Sequence, residues 1–571
     1  MAFLKFTAGI FKTMNAKHNQ DELHFLPLGG SGEIGMNLNL FSYGGKWLMV
    51  DCGISFADPY LPGIDLIMPD VSFIEERRED LLALVITHAH EDHVGAVVHL
   101  WERLRCAVYA TPFTMNILRL KLAEAGLEDQ VELIEVPLEG RVNLSPFEVE
   151  YVSLTHSIPE PNAVLIKSPA GSIFHTGDWK LDPEPLIGEK TNEERMKQIG
   201  DQGVLAMICD STNVFNVEPS GSEKTVRDNM VQLLSSKSGR IFCSTFASNV
   251  ARVETLAKVA EANGRHVCLV GRSLKRNVAV AREAGYLTDF PRIVEEEDAG
   301  FLPKDKILYI CTGCQGEARA AMMRIAQDAN RNVSLSKGDT VVFSSKIIPG
   351  NELTIGRLHN MLSELDVEVI TEKDAFVHVS GHPGQKELQE MYQWIRPEIA
   401  VPVHGEIRHM KRQAEFARDL GIRQVVVPKN GSLIRLTSQK AEIIDEVYSG
   451  RLALDGRFLI SCEDETIVSR RRMLYNGALV ISVVVDAAGG LMADPKITNL
   501  GNPDTEEGFE PVIMDAVIRG LSTLKGRDFK NDQAIAEKIR VFARKAAKNY
   551  TCKEMGPLTT VNVTRIDKGK I

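Results

Sequence analysis

The chain has no apolar run long enough to cross a bilayer. Stretches such as Leu81–Ile86 and Val483–Val485 end far short of the roughly 20 residues that a spanning helix needs. It also lacks a cysteine framework: nine Cys are scattered at positions 52, 106, 209, 243, 268, 311, 314, 462 and 552 of 571 residues. An odd number without paired spacing fits a reducing compartment, so the expectation is a cytoplasmic protein. No export signal is expected either, because Lys5 and Lys12 interrupt any apolar core and no small-residue cleavage site follows. With Lys17 and no acid before Asp21, an organellar transit segment is the alternative reading of residues 1–20. Nor is there an excess of basic charge. Against 66 Lys and Arg stand 77 Asp and Glu, a net charge of −11, so any nucleic-acid site has to be a local basic groove or a metal centre.

What is present is an ordinary globular composition, 44% apolar and 25% charged, long enough for several domains. From His24 to about Asp210, short strand-like runs alternate with turns, and Gly44-Gly45 between two of them predicts a hairpin. From about Ser222 to Ile370, four strand-then-helix units follow one another, opening with RIFCSTF, HVCLVG, KILYICTG and DTVVFSSKIIPG. Such a succession predicts a parallel sheet with covering helices, and ligands of such sheets bind beyond the carboxyl ends of the strands. Those ends carry Ser244, Ser248, Asn249, Thr312, Ser344 and Ser345, any of which could equally be a helix cap. After Glu372 a sheet-like texture returns. Residues 451–464, broken by Gly456, read as a linker, and 465–571, which contain no His, read as a small α+β domain.

The chemistry concentrates in Thr87-His88-Ala89-His90-Glu91-Asp92-His93, directly after the apolar run LLALVI. Three imidazoles and a carboxylate on a loop leaving a buried strand can diverge toward two nearby metals, and zinc takes His nitrogen and Asp oxygen while leaving a position for water. Two other motifs are weaker. Gly30-Ser31-Gly32-Glu33-Ile34-Gly35 fits G-x-G-x-x-G with Asp51 sixteen residues on, but MNLNLFSYGGKWLMV, a hairpin pattern, stands where a dinucleotide fingerprint needs a helix. Cys311-Thr312-Gly313-Cys314 fits C-x-x-C at a helix start, without a second pair to support redox chemistry.

The H-x-H-x-D-H loop resembles the signature of the metallo-β-lactamase fold, an αββα sandwich. By that resemblance Asp51 in LMVDCG orients ligands from behind, His156 in SLTHSIPE and Asp178 in FHTGDW supply the next ligands, and His404 in IAVPVHGE the last. Some 226 residues separate Asp178 from His404, and the four strand–helix units fill them. This resembles the β-CASP nucleases, whose acidic motif A would be Asp210 in ICDSTN, motif B His382 in VSGHPG and motif C His404. LGGSGEIGMN, THAHEDHVGA, GDWK, CDSTN, TFASN, CTGCQGE, SSKIIPGNE, HVSGH and PVHGE are together similar to the bacterial ribonuclease J family.

The resemblance implies an α/β chain: an N-terminal extension (1–20), a metallo-β-lactamase part (21–222), an inserted β-CASP parallel-sheet domain (223–372), the rest of the metallo-β-lactamase part (373–450), the linker and the C-terminal domain. It implies two Zn2+, or Mn2+ or Mg2+, with His88, His90 and His156 on one ion, Asp92, His93 and His404 on the other, and Asp178 bridging. His382, supported by Asp210, would position the phosphate or protonate the leaving oxygen, with Asp92 and Asp51 completing the catalytic set. The implied activity is 5′-to-3′ exonuclease with endonuclease action on RNA. A 5′-monophosphate is expected near Ser248, Asn249, His378, Ser380, Gly381 and His382. A homodimer or homotetramer, contacts with other RNA-decay proteins and no membrane association complete the expectation. A DNA-directed nuclease, a small-molecule hydrolase and an inactive RNA-binding scaffold are the rivals.

Overall fold

The computed structural model describes residues 21–504 and 508–566; the expected N-terminal extension lies outside the described residues. The chain divides into two compact units, Met1–Ser55 with Met68–Gly450, and Phe56–Ile67 with Arg451–Ile571.

In the first unit an eight-stranded sheet runs in the order Glu442–Glu446, Ser432–Leu436, Leu23–Gly29, Leu38–Tyr43, Lys46–Val50, Leu81–Val85, Ala107–Ala110 and Leu133–Glu135. A seven-stranded sheet runs Arg141–Leu144, Phe147–Ser153, Asn162–Ser168, Gly171–His175, Ala206–Asp210, Ile399–Val403 and Gln424–Val425. Phe25, Phe41, Val50 and Val85 of the first meet Tyr151, Val164, Ile173 and Val401 of the second in one core. The strand Ala206–Asp210 explains how both faces of the second sheet are filled. Its side chains alternate, so Ala206 and Ile208 join the inter-sheet core while Met207 and Cys209 meet the outer helices through Met196, Leu388 and Met391. Helix Pro112–Ala125 packs against the edge strand Leu133–Glu135 of the other sheet and its neighbour Ala107–Ala110. This is the expected αββα sandwich. Gly44 and Gly45, at φ 64° and 76°, make the turn between Leu38–Tyr43 and Lys46–Val50, so the G-x-G-x-x-G segment leads into a hairpin and not into a nucleotide-binding helix.

The inserted strands form a five-stranded, wholly parallel sheet in the order His266–Val270, Ile307–Cys311, Ile241–Ser244, Thr340–Phe343, Glu368–Ile370. Both faces are covered: Ile241, Leu269 and Ile310 lie under Val226, Met230 and Leu256, and Phe242, Tyr309 and Val341 lie under Met322 and Leu358. The third helix is shorter than QGEARAAMMRIAQ suggests, Ala321–Ala326 only. Gly313 and Gly316 hold φ values of 109° and 75°, outside the helical region, so the chain loops before it can wind.

The second unit is organised around a three-stranded sheet, Lys496–Leu500, Ala478–Asp486 and Leu558–Ile566, whose Leu479, Ile481, Val483 and Val485 pack under helices Phe509–Ser522 and Asp532–Thr551. Residues 451–464, expected as a linker, instead pair as a hairpin of Arg451–Asp455 and Phe458–Ser461. Gly456 at φ 62° supplies the turn that looked like a break. The segment 56–67, expected with the first domain, belongs to this unit as well.

Candidate metal centre

Strands Lys46–Val50 and Leu81–Val85 are a parallel pair in one sheet, and Gly171–His175, Ala206–Asp210 and Ile399–Val403 are parallel neighbours in the other. Parallel strands end on the same edge. Asp51, the loop from Thr87, Asp178 and His404 each follow such an end within three residues, and Asp210 is itself the last residue of its strand, which is how positions hundreds of residues apart converge. Asp51 and His404 hold φ values of 64° and 49°. Non-glycine residues in this left-handed region are strained, and His404 is fixed there by its N–H donating to Gly30 O at 2.7 Å.

Two ligand sets result. His88, His90, His156 and Asp178 form one, and Asp92, His93, Asp178 and His404 the other, the donor atoms of each lying within 4.8 Å of one another. In the first, His90 Nδ1 stands 3.1 Å from both His88 Nε2 and His156 Nε2. In the second, His93 Nε2 and His404 Nε2 lie 3.2 and 3.4 Å from Asp178 oxygens and 3.6 and 3.7 Å from Asp92 Oδ2.

The outer nitrogens show that these rings are aimed. His93 Nδ1–H donates to Asp51 Oδ2 (2.7 Å), His88 Nδ1–H to Thr87 Oγ1 (3.0 Å), His156 Nδ1–H to Gly381 O (2.5 Å) and His404 Nδ1–H to Asn37 Oδ1 (2.9 Å). Each pairing leaves Nε2 with its lone pair facing inward, the arrangement that orients metal-bound imidazoles. Asp178 Oδ1 is buried without a hydrogen-bond donor, a cost that a cation removes. Burial pushes the pKa of His156 down to about 3 and holds His88 and His90 well below the usual value, so these rings are neutral, the form in which imidazole can bind a metal. Burial also opposes charge on His93 and His404, yet Asp178 and the neighbouring carboxylates raise both. The pocket therefore calls for positive charge, and the donor set fits two divalent ions. Asn37 Nδ2, 3.0 Å from His93 Nε2, competes with one of them for that lone pair.

Beside the ligands, His382 Nδ1–H donates to Asp210 Oδ2 at 2.7 Å. Burial disfavours its charged form, but Asp210 and Asp178 push its pKa up to about 9; the share owed to Asp178 would fall with a cation bound there. Asp51 is fully buried and accepts from Thr87 N, Thr87 Oγ1 and His93, so it braces the ligand loop and does not itself face the ligand atoms.

The residues expected around a terminal phosphate divide by role. Asn249 Oδ1 accepts from Arg252 N at 2.9 Å, capping helix Val250–Ala262, so that oxygen is already engaged. Gly381 lends its carbonyl to His156, and Ser380 Oγ accepts from His382 N (3.1 Å). Ser248 and His378 are half-buried. The C-x-x-C pair stays protonated: burial pushes Cys314 up to about 12 and holds Cys311 well above its usual value. Asn37, Thr87 and the Arg252–Glu223 pair were not singled out from the sequence. Thr87 alone had a signal, its place between a buried strand and the first ligand.

Comparison with known families agrees with this geometry. Residues 37–243 match the model described as "Metallo-beta-lactamase superfamily", 238–362 that of "Ribonuclease J, beta-CASP domain", and 366–428 that of "Zn-dependent metallo-hydrolase RNA specificity domain". The chain is 43% identical to Ribonuclease J of Sinorhizobium meliloti over 97% of its length and 100% of that protein's. It is 38% identical to Ribonuclease J of Mycolicibacterium smegmatis (91% of this chain, 93% of the relative) and 34% to that of Thermus thermophilus (81% and 83%). A crystal structure of a protein of unknown function from Enterococcus faecalis shares the fold, with a TM-score of 0.50 and 17% identity over 73% of this chain and all of the other. With both ligand sets in place and near full-length similarity to these relatives, the chain belongs to the ribonuclease J family of the metallo-β-lactamase superfamily.

Proposed function

We propose that this chain hydrolyses RNA phosphodiester bonds with two zinc ions, as a 5′-to-3′ exonuclease that prefers 5′-monophosphate ends and also cuts internally, in RNA decay and rRNA and mRNA maturation. The observation that carries the reading is the pair of ligand sets joined at Asp178 and flanked by the Asp210–His382 pair. Relatives named Ribonuclease J and the matched RNA specificity domain point to RNA.

His88, His90 and His156 would hold one ion, Asp92, His93 and His404 the other, with Asp178 between them. When bound, the ions supply a water of lowered pKa and positive charge opposite the phosphate. The chain's own residues do the rest. Asp51, Thr87, Asn37 and the Gly381 carbonyl keep the imidazoles aimed. Asp210 holds His382 through Nδ1, which leaves Nε2 to donate to a phosphate oxygen or to the leaving 3′-oxygen. Ser248, His378 and Ser380 would line the pocket for a terminal phosphate. Among the described residues no helix is long and apolar enough to cross a membrane, and all nine cysteines are free; we place the protein in the cytoplasm. The second unit, without a histidine, would serve assembly into a dimer or tetramer and contacts with other RNA-decay proteins.

The test is incubation of the purified protein with 5′-monophosphorylated RNA and the matching DNA. Release of mononucleotides from RNA, suppressed by chelation and restored by zinc or manganese, is the expected result; preferential cleavage of DNA would overturn it.

A further inference from the structure

Arg252 is fully buried, in the first turn of helix Val250–Ala262. Its Nε and Nη2 donate to the two carboxylate oxygens of Glu223 at 2.9 and 2.7 Å, and Glu223, also buried, opens helix Glu223–Ser235. Nη1 turns the other way. Its two N–H bonds are shared among Ser344 O (3.0 Å), Ser344 Oγ (2.8 Å), Val377 O (3.1 Å) and His378 Nδ1 (3.3 Å). One side chain thus ties two helix starts and the end of strand Thr340–Phe343 to the loop that carries His378 and His382.

A guanidinium has donors and no acceptor. With Arg252 against it, His378 Nδ1 must offer its lone pair, and the ring proton is left on Nε2. Burial, then the charges of Arg252, Lys346 and Lys180, hold His378 well below its usual pKa. The ring is therefore neutral, with one N–H to give, and the charged groups that act on it most are the cations Arg252, Lys346 and Lys180, of which Arg252 is paired with Glu223 and Lys180 with Asp182. A phosphate oxygen suits such a donor.

We infer that Arg252 is a positioning residue that fixes His378 as its Nε2–H tautomer, a neutral hydrogen-bond donor to the 5′-terminal phosphate of the RNA. The inference deepens the ribonuclease reading above and rests on it.

The test joins spectroscopy to kinetics in the full-length protein. Histidine labelled with 15N in the ring, with the His378 signal assigned by its loss in His378→Gln, reports the tautomer. In parallel, kcat/KM is measured for RNAs bearing 5′-monophosphate and 5′-hydroxyl ends. Arg252→Met is combined with Glu223→Gln so that no buried carboxylate is left unpaired. Arg252→Leu with the same Glu223→Gln change removes the donor by a differently shaped apolar side chain and serves if the Met variant does not fold.

The wild type should show the Nε2–H tautomer. In either variant that preference should fade, and the monophosphate-to-hydroxyl ratio should fall roughly tenfold, through KM and not kcat, the loss expected for one hydrogen bond to a charged group. An Nδ1–H tautomer in the wild type, no preference for the monophosphate, or a ratio unchanged by the substitutions would overturn the inference. Failure of the wild type to cleave either RNA would instead overturn the ribonuclease reading.

Discussion

Two histidine-bearing loops of the same site are built in opposite ways. In Thr87–His93 three imidazoles and a carboxylate sit within six residues, and the support is close at hand: Thr87 reaches both the His88 ring and Asp51. In Val377–His382 four residues are held from afar: His378 and the Val377 carbonyl by Arg252, the Gly381 carbonyl by His156, and His382 by Asp210. The first loop carries ligands and can be dense because a short chain can present several donors to ions. Under the proposed function the second would handle substrate and protons, and its groups are placed against partners from distant parts of the chain, Arg252 of the inserted domain among them.

That contrast can be broken most severely at the first loop. His90→Ala should lower RNA cleavage by more than the ~100-fold that removal of a supporting residue costs, and elemental analysis should find bound metal reduced. On the second loop's side, Asp210→Asn should reduce kcat by roughly 100-fold, the scale of a lost general acid, while metal content stays near that of the wild type. Metal lost along with activity would put Asp210 among the ligands, where its proximity to His382 and His404 also allows it to stand.

Thr87→Val removes the hydroxyl that donates to Asp51 and accepts from His88. Competition with a chelator should show metal affinity weakened about tenfold, and an unchanged affinity would show that Asp51 braces the loop unaided.

A smaller effect is expected from His175, buried behind the ligands and held down to about pKa 4 by burial. In the unfolded chain it takes up its proton near pH 6.5, whereas the folded protein accepts it only near pH 4. Folding stability should therefore decline as pH falls between those values, by up to ~3 kcal/mol. Urea midpoints at pH 7.5 and 5 should show the decline, and His175→Phe should make it shallower without abolishing it, because His88, His90 and His156 are held low as well.

Smallest for the chemistry should be deletion of the second unit after Gly450. Light scattering is expected to show smaller species while bound metal is retained; loss of RNA affinity without a change in assembly would make the basic helix Asp532–Thr551 a nucleic-acid contact.

The two loops were also unequally legible. THAHEDH announces its chemistry because ligand identity and spacing are both local, and the alternating strands and successive strand–helix units foretold two kinds of sheet. Whether Asp51, His156, Asp178 and His404 converge was not a local matter and became legible only through resemblance. The linker reading of 451–464 failed because Gly456 marks a hairpin turn as readily as a break. Asn249 shows the same ambiguity in a single residue, its side chain being a helix cap.

By itself, then, the sequence determined which side chains could bind metal, the strand and helix periods, and the order in which they come. Tertiary structure alone decided which nitrogen of His88, His93, His156 and His404 faces inward. That choice is set by the acceptor behind the ring, Thr87, Asp51, Gly381 or Asn37, and for all but Thr87 that partner is brought there by another part of the chain.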